Sequence, residues 1–178
     1  MALKLNSQIE DTTVHLKIQS VTKEDLDYHI ESHLKSRHEG LCGKYGYVVQ
    51  DSVELIHRSM GEILSVDSES FLEYKVSYKM QSIYPCKDDI MECKIENLTK
   101  MGILGYLDWS PPKTGADESE TEPVTIKTSP ISFIIPEQFL DDIPDNMKSP
   151  GKTIKIVVLD CRIRYRSSQI QVVGSPSV

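Results

Sequence analysis

Few side chains in this sequence are of a type and spacing that could do chemistry. His29 and His33 lie four residues apart in HIESH, a spacing that puts two imidazoles on one helix face within reach of a single metal ion. The acid that follows the first histidine in a metalloprotease HExxH is missing, and a polar helix flank accounts for the pair, so no metal and no other cofactor is assigned. Ser59 and Cys42 are nucleophile types with no recognisable base partner. There is no glycine-rich phosphate loop and no paired-acid motif that carries a mechanism. The chain therefore reads as a non-enzyme. Cys42, Cys86, Cys93 and Cys161 contain no CxxC pair, which argues against a zinc ribbon and for reduced, mostly buried thiols.

Charge is the remaining candidate. In CRIRYR, Arg162, Arg164 and Arg166 alternate with Cys161, Ile163 and Tyr165. An extended chain would show the arginines on one face, a positive stripe able to follow a phosphate backbone. The same pattern suits a solvated sheet face, or pairing with acids 117–122. A net charge of −7 argues against binding of nucleic acid over the whole surface, so any such contact would be local.

These residues need elements to hold them. Leu72, Tyr74, Val76, Tyr78 and Met80 alternate with polar residues, the period of a half-buried strand. Pro85 interrupts the pattern, Lys87-Asp88-Asp89 makes a turn, and Met91, Cys93 and Ile95 begin a second alternating strand. Gly102 and Gly105 then mark a bend or close approach of the kind that turns a small barrel's corners. Upstream, Val14, Leu16 and Ile18 define a first strand over Thr12–Gln19. Leu26, Ile30 and Leu34 form the buried stripe of a helix over 22–39, with Thr22 as its cap, Glu24 and Asp25 in its first turn and Gly40 closing it. Short strands are expected over Val48-Val49 and Val53–Arg58, then a loop over Glu62–Ser70.

Downstream, an acidic loop at about 108–123 contains Asp117, Glu118, Glu120 and Glu122, with Trp109 anchoring its start. Val124–Lys127 and Ile131–Ile135 resume extended structure. A short helix over PEQFLDDI and strands over Lys152–Arg166 and Gln169–Val173 follow. The fold class is α+β, mostly β: a docking domain over 1–84 and an oligonucleotide-binding (OB) barrel over 85–178. No apolar run approaches the ~20 residues that span a bilayer, and the N-terminus lacks a secretory core, so the expected setting is intracellular with no membrane partner.

The order of short motifs resembles one family. Glu39–Val48 (EGLCGKYGYV), Arg58–Ile63 (RSMGEI), Tyr74–Tyr78, Glu92–Ile95, Thr99–Ile103 (TKMGI) and Ile170–Ser175 together resemble the stalk subunit of multisubunit DNA-directed RNA polymerases. This is the seventh-largest subunit of the eukaryotic enzyme or the E-type subunit of archaea. The KMGI wording is most similar to versions encoded by large nucleocytoplasmic DNA viruses. The resemblance implies a truncated RNA-recognition-like N-terminal domain whose tip docks on the polymerase core. That tip maps to Ser59, Met60, Gly61, Glu62, Ile63 and Leu64, joined by the loop Ser20–Thr22. It also implies that the barrel reaches nascent RNA weakly, through Lys94, Lys100, Tyr106 and the three arginines. The implied partners are the largest subunit near the clamp and a fourth-subunit-like protein, at the site of viral transcription or in the virion. The alternative is a free-standing single-stranded nucleic-acid-binding or translation-type barrel protein.

Overall fold

The computed structural model describes residues 3–18, 25–67, 69–111 and 124–177. It is mostly β, with one α-helix, a six-stranded sheet and a closed five-stranded barrel. β1 (Leu5–Lys17) is followed by α1 (Leu26–His38). Then come β2 (Cys42–Gly43), β3 (Gly46–Val48), β4 (Glu54–Arg58), β5 (Glu62–Val66) and the long β6 (Glu69–Ile83).

β6 organises the first sheet. One edge pairs along its length with β1, from Leu5 opposite Ile83 to Lys17 opposite Phe71. The other edge serves three strands in turn: β3 at its end, β4 at its middle and β5 at its start. Its alternation works as the sequence requires, burying Tyr74, Val76, Tyr78 and Met80 while Lys75 and Lys79 face water. Val14 and Leu16 of β1 continue that inner face, and Ile30 and Leu34 of α1 cover it. Each such apolar side chain contributes about 1.5–3 kcal/mol by leaving water. The predicted cap Thr22 and the loop Ser20–Thr22 lie outside the described residues. Gly40 is left-handed (φ 71°), but its N–H donates to the Val48 carbonyl, so it starts the β2–β3 hairpin. The helix is closed one residue earlier, by the Glu39 N–H on the Lys35 carbonyl.

The chain leaves the first sheet at Ile83 and enters the barrel at Ile90. The barrel consists of β7 (Ile90–Thr99), β8 (Gly102–Tyr106), β9 (Ile131–Pro136), β10 (Thr153–Arg162) and β11 (Ile170–Pro176). The order is β7-β8-β9-β11-β10, with β10 closing back on β7. β9 and β11 run parallel, and every other pair is antiparallel. This arrangement is consistent with an OB-like barrel. Cys93, Ile95, Phe133, Ile135, Ile156 and Val172 fill the interior. Gly102 turns the β7–β8 corner at φ 130°, packed against the Ile135 carbonyl, where no side chain has room. Cys42, Tyr47 and Ile83 of the first sheet, with Val49 just after β3, belong to the same apolar cluster as the barrel interior.

Several sequence expectations are corrected. Glu62–Ser70 is not a loop: Glu62–Val66 pairs with the start of β6 in a hairpin whose turn uses Asp67 at φ 48°. Val124–Lys127 is not extended; a turn forms there, with the Thr128 and Ser129 N–H groups both donating to the Thr125 carbonyl. The helix over PEQFLDDI shrinks to a 3-10 turn at Glu137–Phe139, with a second at Asp145–Met147. β7 runs on to Thr99, and the chain turns at Lys100 and Met101. No helix among the described residues is long and apolar enough to cross a membrane.

Candidate docking hairpin and nucleic-acid interface

The residues expected at the docking tip form the β4–β5 connection and the outer strand of the β5–β6 hairpin. Ser59 is fixed by the body of the sheet. Its N–H donates 2.8 Å to the Lys75 carbonyl, and its Oγ accepts the Lys75 N–H at 3.0 Å. Gly61 packs under Tyr74, whose ring a Cβ would meet at 2.7 Å, so close approach explains this glycine. Glu62 stands opposite Glu73, whose carboxylate meets His15 Nε2 at 2.7 Å.

Beyond these anchors the hairpin is apolar and wet. Met60 is 89% exposed, Ile63 74% and Val66 48%, with Leu64 also open. Ile63 pairs with Leu72 and Leu64 with Phe71, so the two strands hold these side chains in register. Every residue of β5 is exposed. Isolated exposed apolar residues are ordinary, but Met60, Ile63, Leu64 and Val66 fall within seven residues, Ile63 on one face of the hairpin and Leu64 and Val66 on the other, so a covering partner has to take in both faces.

The proposed RNA-contacting residues do not share one face. β10 ends at Arg162, so the alternation read across CRIRYR does not continue as a strand. Arg164, Tyr165 and Arg166 lie in the β10–β11 loop, with Arg166 at φ 62° and its N–H on the Cys42 carbonyl. All three arginines are exposed. Lys100 is in the β7–β8 turn, a different loop. Lys94 is tied to Asp108 at 2.8 Å, and that carboxylate raises the ammonium above the ordinary lysine range. Its Nζ also lies 5.9 Å from the centroid of the Tyr106 ring, and that ring is buried instead of being open for stacking. Trp109 packs against the barrel core at the start of the acidic segment, while acids 117–122 lie outside the described residues.

One polar cluster went unread in the sequence. On the inner face of the first sheet the Tyr78 hydroxyl donates 3.2 Å to Glu10 and lies 3.4 Å from His38 Nε2. The His38 and Tyr78 rings stack at 5.3 Å. Burial pushes the phenol up to about 12 and pulls the imidazole below its ordinary value. His29 and His33 sit half-buried on α1. Among the described residues, no group of three or more His, Cys, Asp or Glu side chains is placed to hold a metal. No protein-family model matches the chain, and no curated protein matches it significantly.

Proposed function

We propose that this chain is the non-catalytic stalk subunit of a multisubunit DNA-directed RNA polymerase, in a lineage akin to those of large DNA viruses. The apolar hairpin at Met60–Val66 carries the proposal. Its base is tied to the sheet by Ser59 and Gly61, and the apolar side chains along it need a pocket on a larger partner that covers both faces. The sheet with one covering helix plays the part of a truncated RNA-recognition-like module, docking on the largest subunit near the clamp. The barrel then extends outward. Four of its exposed cations, Lys100, Arg162, Arg164 and Arg166, stand in or beside the β7–β8 and β10–β11 loops, the connections that flank the nucleic-acid face of OB barrels. Lys100, Arg164 and Arg166, with Arg162 at the strand end, make weak, sequence-tolerant contact with emerging RNA. Lys94 and Tyr106 take a smaller share, since one is paired and the other buried.

Co-purification tests the reading. The tagged chain recovered from transcribing cells is expected to bring down the largest polymerase subunit in stoichiometric amount. The doubly substituted Met60→Asp, Ile63→Asp chain is expected to lose it while keeping its thermal midpoint. Recovery of the wild-type chain alone overturns the proposal and leaves a free-standing nucleic-acid-binding barrel.

A further inference from the structure

Two of the four cysteines stand near each other where the chain crosses from the sheet to the barrel, the Cys86 Sγ resting 3.8 Å from the Tyr84 carbonyl. Cys161, near the end of β10, points its Sγ at the Pro85 carbonyl, 3.3 Å away. Cys86 is the next residue, and no peptide bond among the described residues is cis. Its Cα is one peptide unit from that oxygen, so at most about 6 Å separates it from the Cys161 sulfur. The crossing segment is held against β10 by two backbone bonds, Asp88 N–H to the Val158 carbonyl and Val158 N–H to the Asp89 carbonyl, at 2.8 and 2.9 Å. Cys86 is exposed and lines an open cleft of 460 Å³ between the start of β1 and the barrel. The other two thiols are buried: Cys93 inside the barrel, where burial lifts it to about 12, and Cys42 against Ser167.

We infer that Cys86 and Cys161 form a reversible redox pair whose disulfide pins the crossing segment to β10. The reaction is thiol–disulfide exchange with a small-molecule disulfide of the glutathione type. The exposed Cys86 thiolate attacks one sulfur of that disulfide, releasing one small thiolate and leaving a mixed disulfide on Cys86. The Cys161 thiolate then attacks the Cys86 sulfur and expels the second small thiol. The two protein thiols lose two electrons and two protons, and the small disulfide gains them. A partner within reach is what separates this pair from a merely exposed cysteine. The bond would close a loop of about 75 residues containing most of the barrel, which restricts the unfolded chain. It would also stiffen the joint between sheet and barrel. The inference does not depend on the polymerase reading.

The test is equilibration of the full chain in buffers of defined oxidised-to-reduced glutathione ratio, followed by acid quench, trypsin digestion and mass spectrometry. Peptides 80–87 and 156–162 each carry one of the two cysteines. They are expected to appear joined, two hydrogens lighter than their sum, with no stable glutathione on wild-type Cys86. Cys161→Ser is expected to trap glutathione on Cys86, and Cys86→Ser to leave Cys161 unmodified. A persistent glutathione adduct on wild-type Cys86, linkage only between separate chains, or no linked peptide under the most oxidising buffer would overturn the inference. Circular dichroism of both variants in reducing buffer guards against a folding defect, which neither a half-buried nor an exposed Cys→Ser change should cause.

Discussion

Gly105 of β8 lies against Cys93 of β7 so closely that a Cβ would overlap the sulfur and stand 2.7 Å from the Lys94 carbonyl oxygen. The contact seats a thiol with no exposed surface inside the barrel and lets β8 press onto β7 there. Cys93 and Gly105 thus form one packing unit, and neither can grow without the other giving way.

Gly105→Ala is therefore expected to destabilise the chain by about 1–3 kcal/mol through overpacking, read as a lower urea midpoint at unchanged slope. Gly43→Ala is the control: nothing lies within 4 Å of a Cβ there, so its midpoint should move little.

The His38–Tyr78–Glu10 cluster predicts a pH dependence. Burial lowers the His38 value in the folded chain, so below the ordinary histidine range the unfolded chain takes up a proton the folded one resists. The stability contribution is present above the unfolded value of roughly 6.5 and is lost as pH falls through the lower folded value. The wild-type thermal midpoint should drop more between neutral and mildly acid pH than that of His38→Phe, which keeps the ring stack and removes the titration. Parallel curves would exclude His38 as the source.

The loop arginines predict a salt-sensitive RNA interaction. Arg162→Ala, Arg164→Ala and Arg166→Asn combined, with asparagine chosen at 166 because it tolerates the left-handed backbone, should weaken binding of single-stranded RNA several-fold at low salt. The slope of log affinity against log salt should fall by roughly 0.7 for each phosphate that the substituted chain no longer neutralises. An unchanged affinity by fluorescence anisotropy would remove these residues from the interface.

The sequence displayed most of the elements that have a wet and a dry face. β6, β7 and β9 alternate because one side meets a core, and α1 shows its stripe because Ile30 and Leu34 are buried on it. β5 was invisible for the opposite reason: both of its faces are exposed, so EILSV carries no period-two contrast. The end of β10 was hidden too. Arg166 adopts a left-handed backbone without being glycine, and CRIRYR alternates as though the strand continued. The proposed site suffered accordingly. The residues expected at the tip run together from the β4–β5 connection into β5, whereas Lys94 is drawn to an aspartate and Tyr106 goes under cover. Pairing and burial of that kind depend on what crosses from another strand, and local sequence does not report it.

Hydrogen–deuterium exchange of the chain, free and within the native complex recovered through it, tests the proposed polymerase attachment most directly. The hairpin residues 59–66 should exchange quickly in the free chain and become strongly protected in the assembly, with Met60→Asp, Ile63→Asp abolishing both protection and assembly. Equal exchange at 59–66 in the free and assembled states would contradict the account, because the apolar tip would then meet no partner.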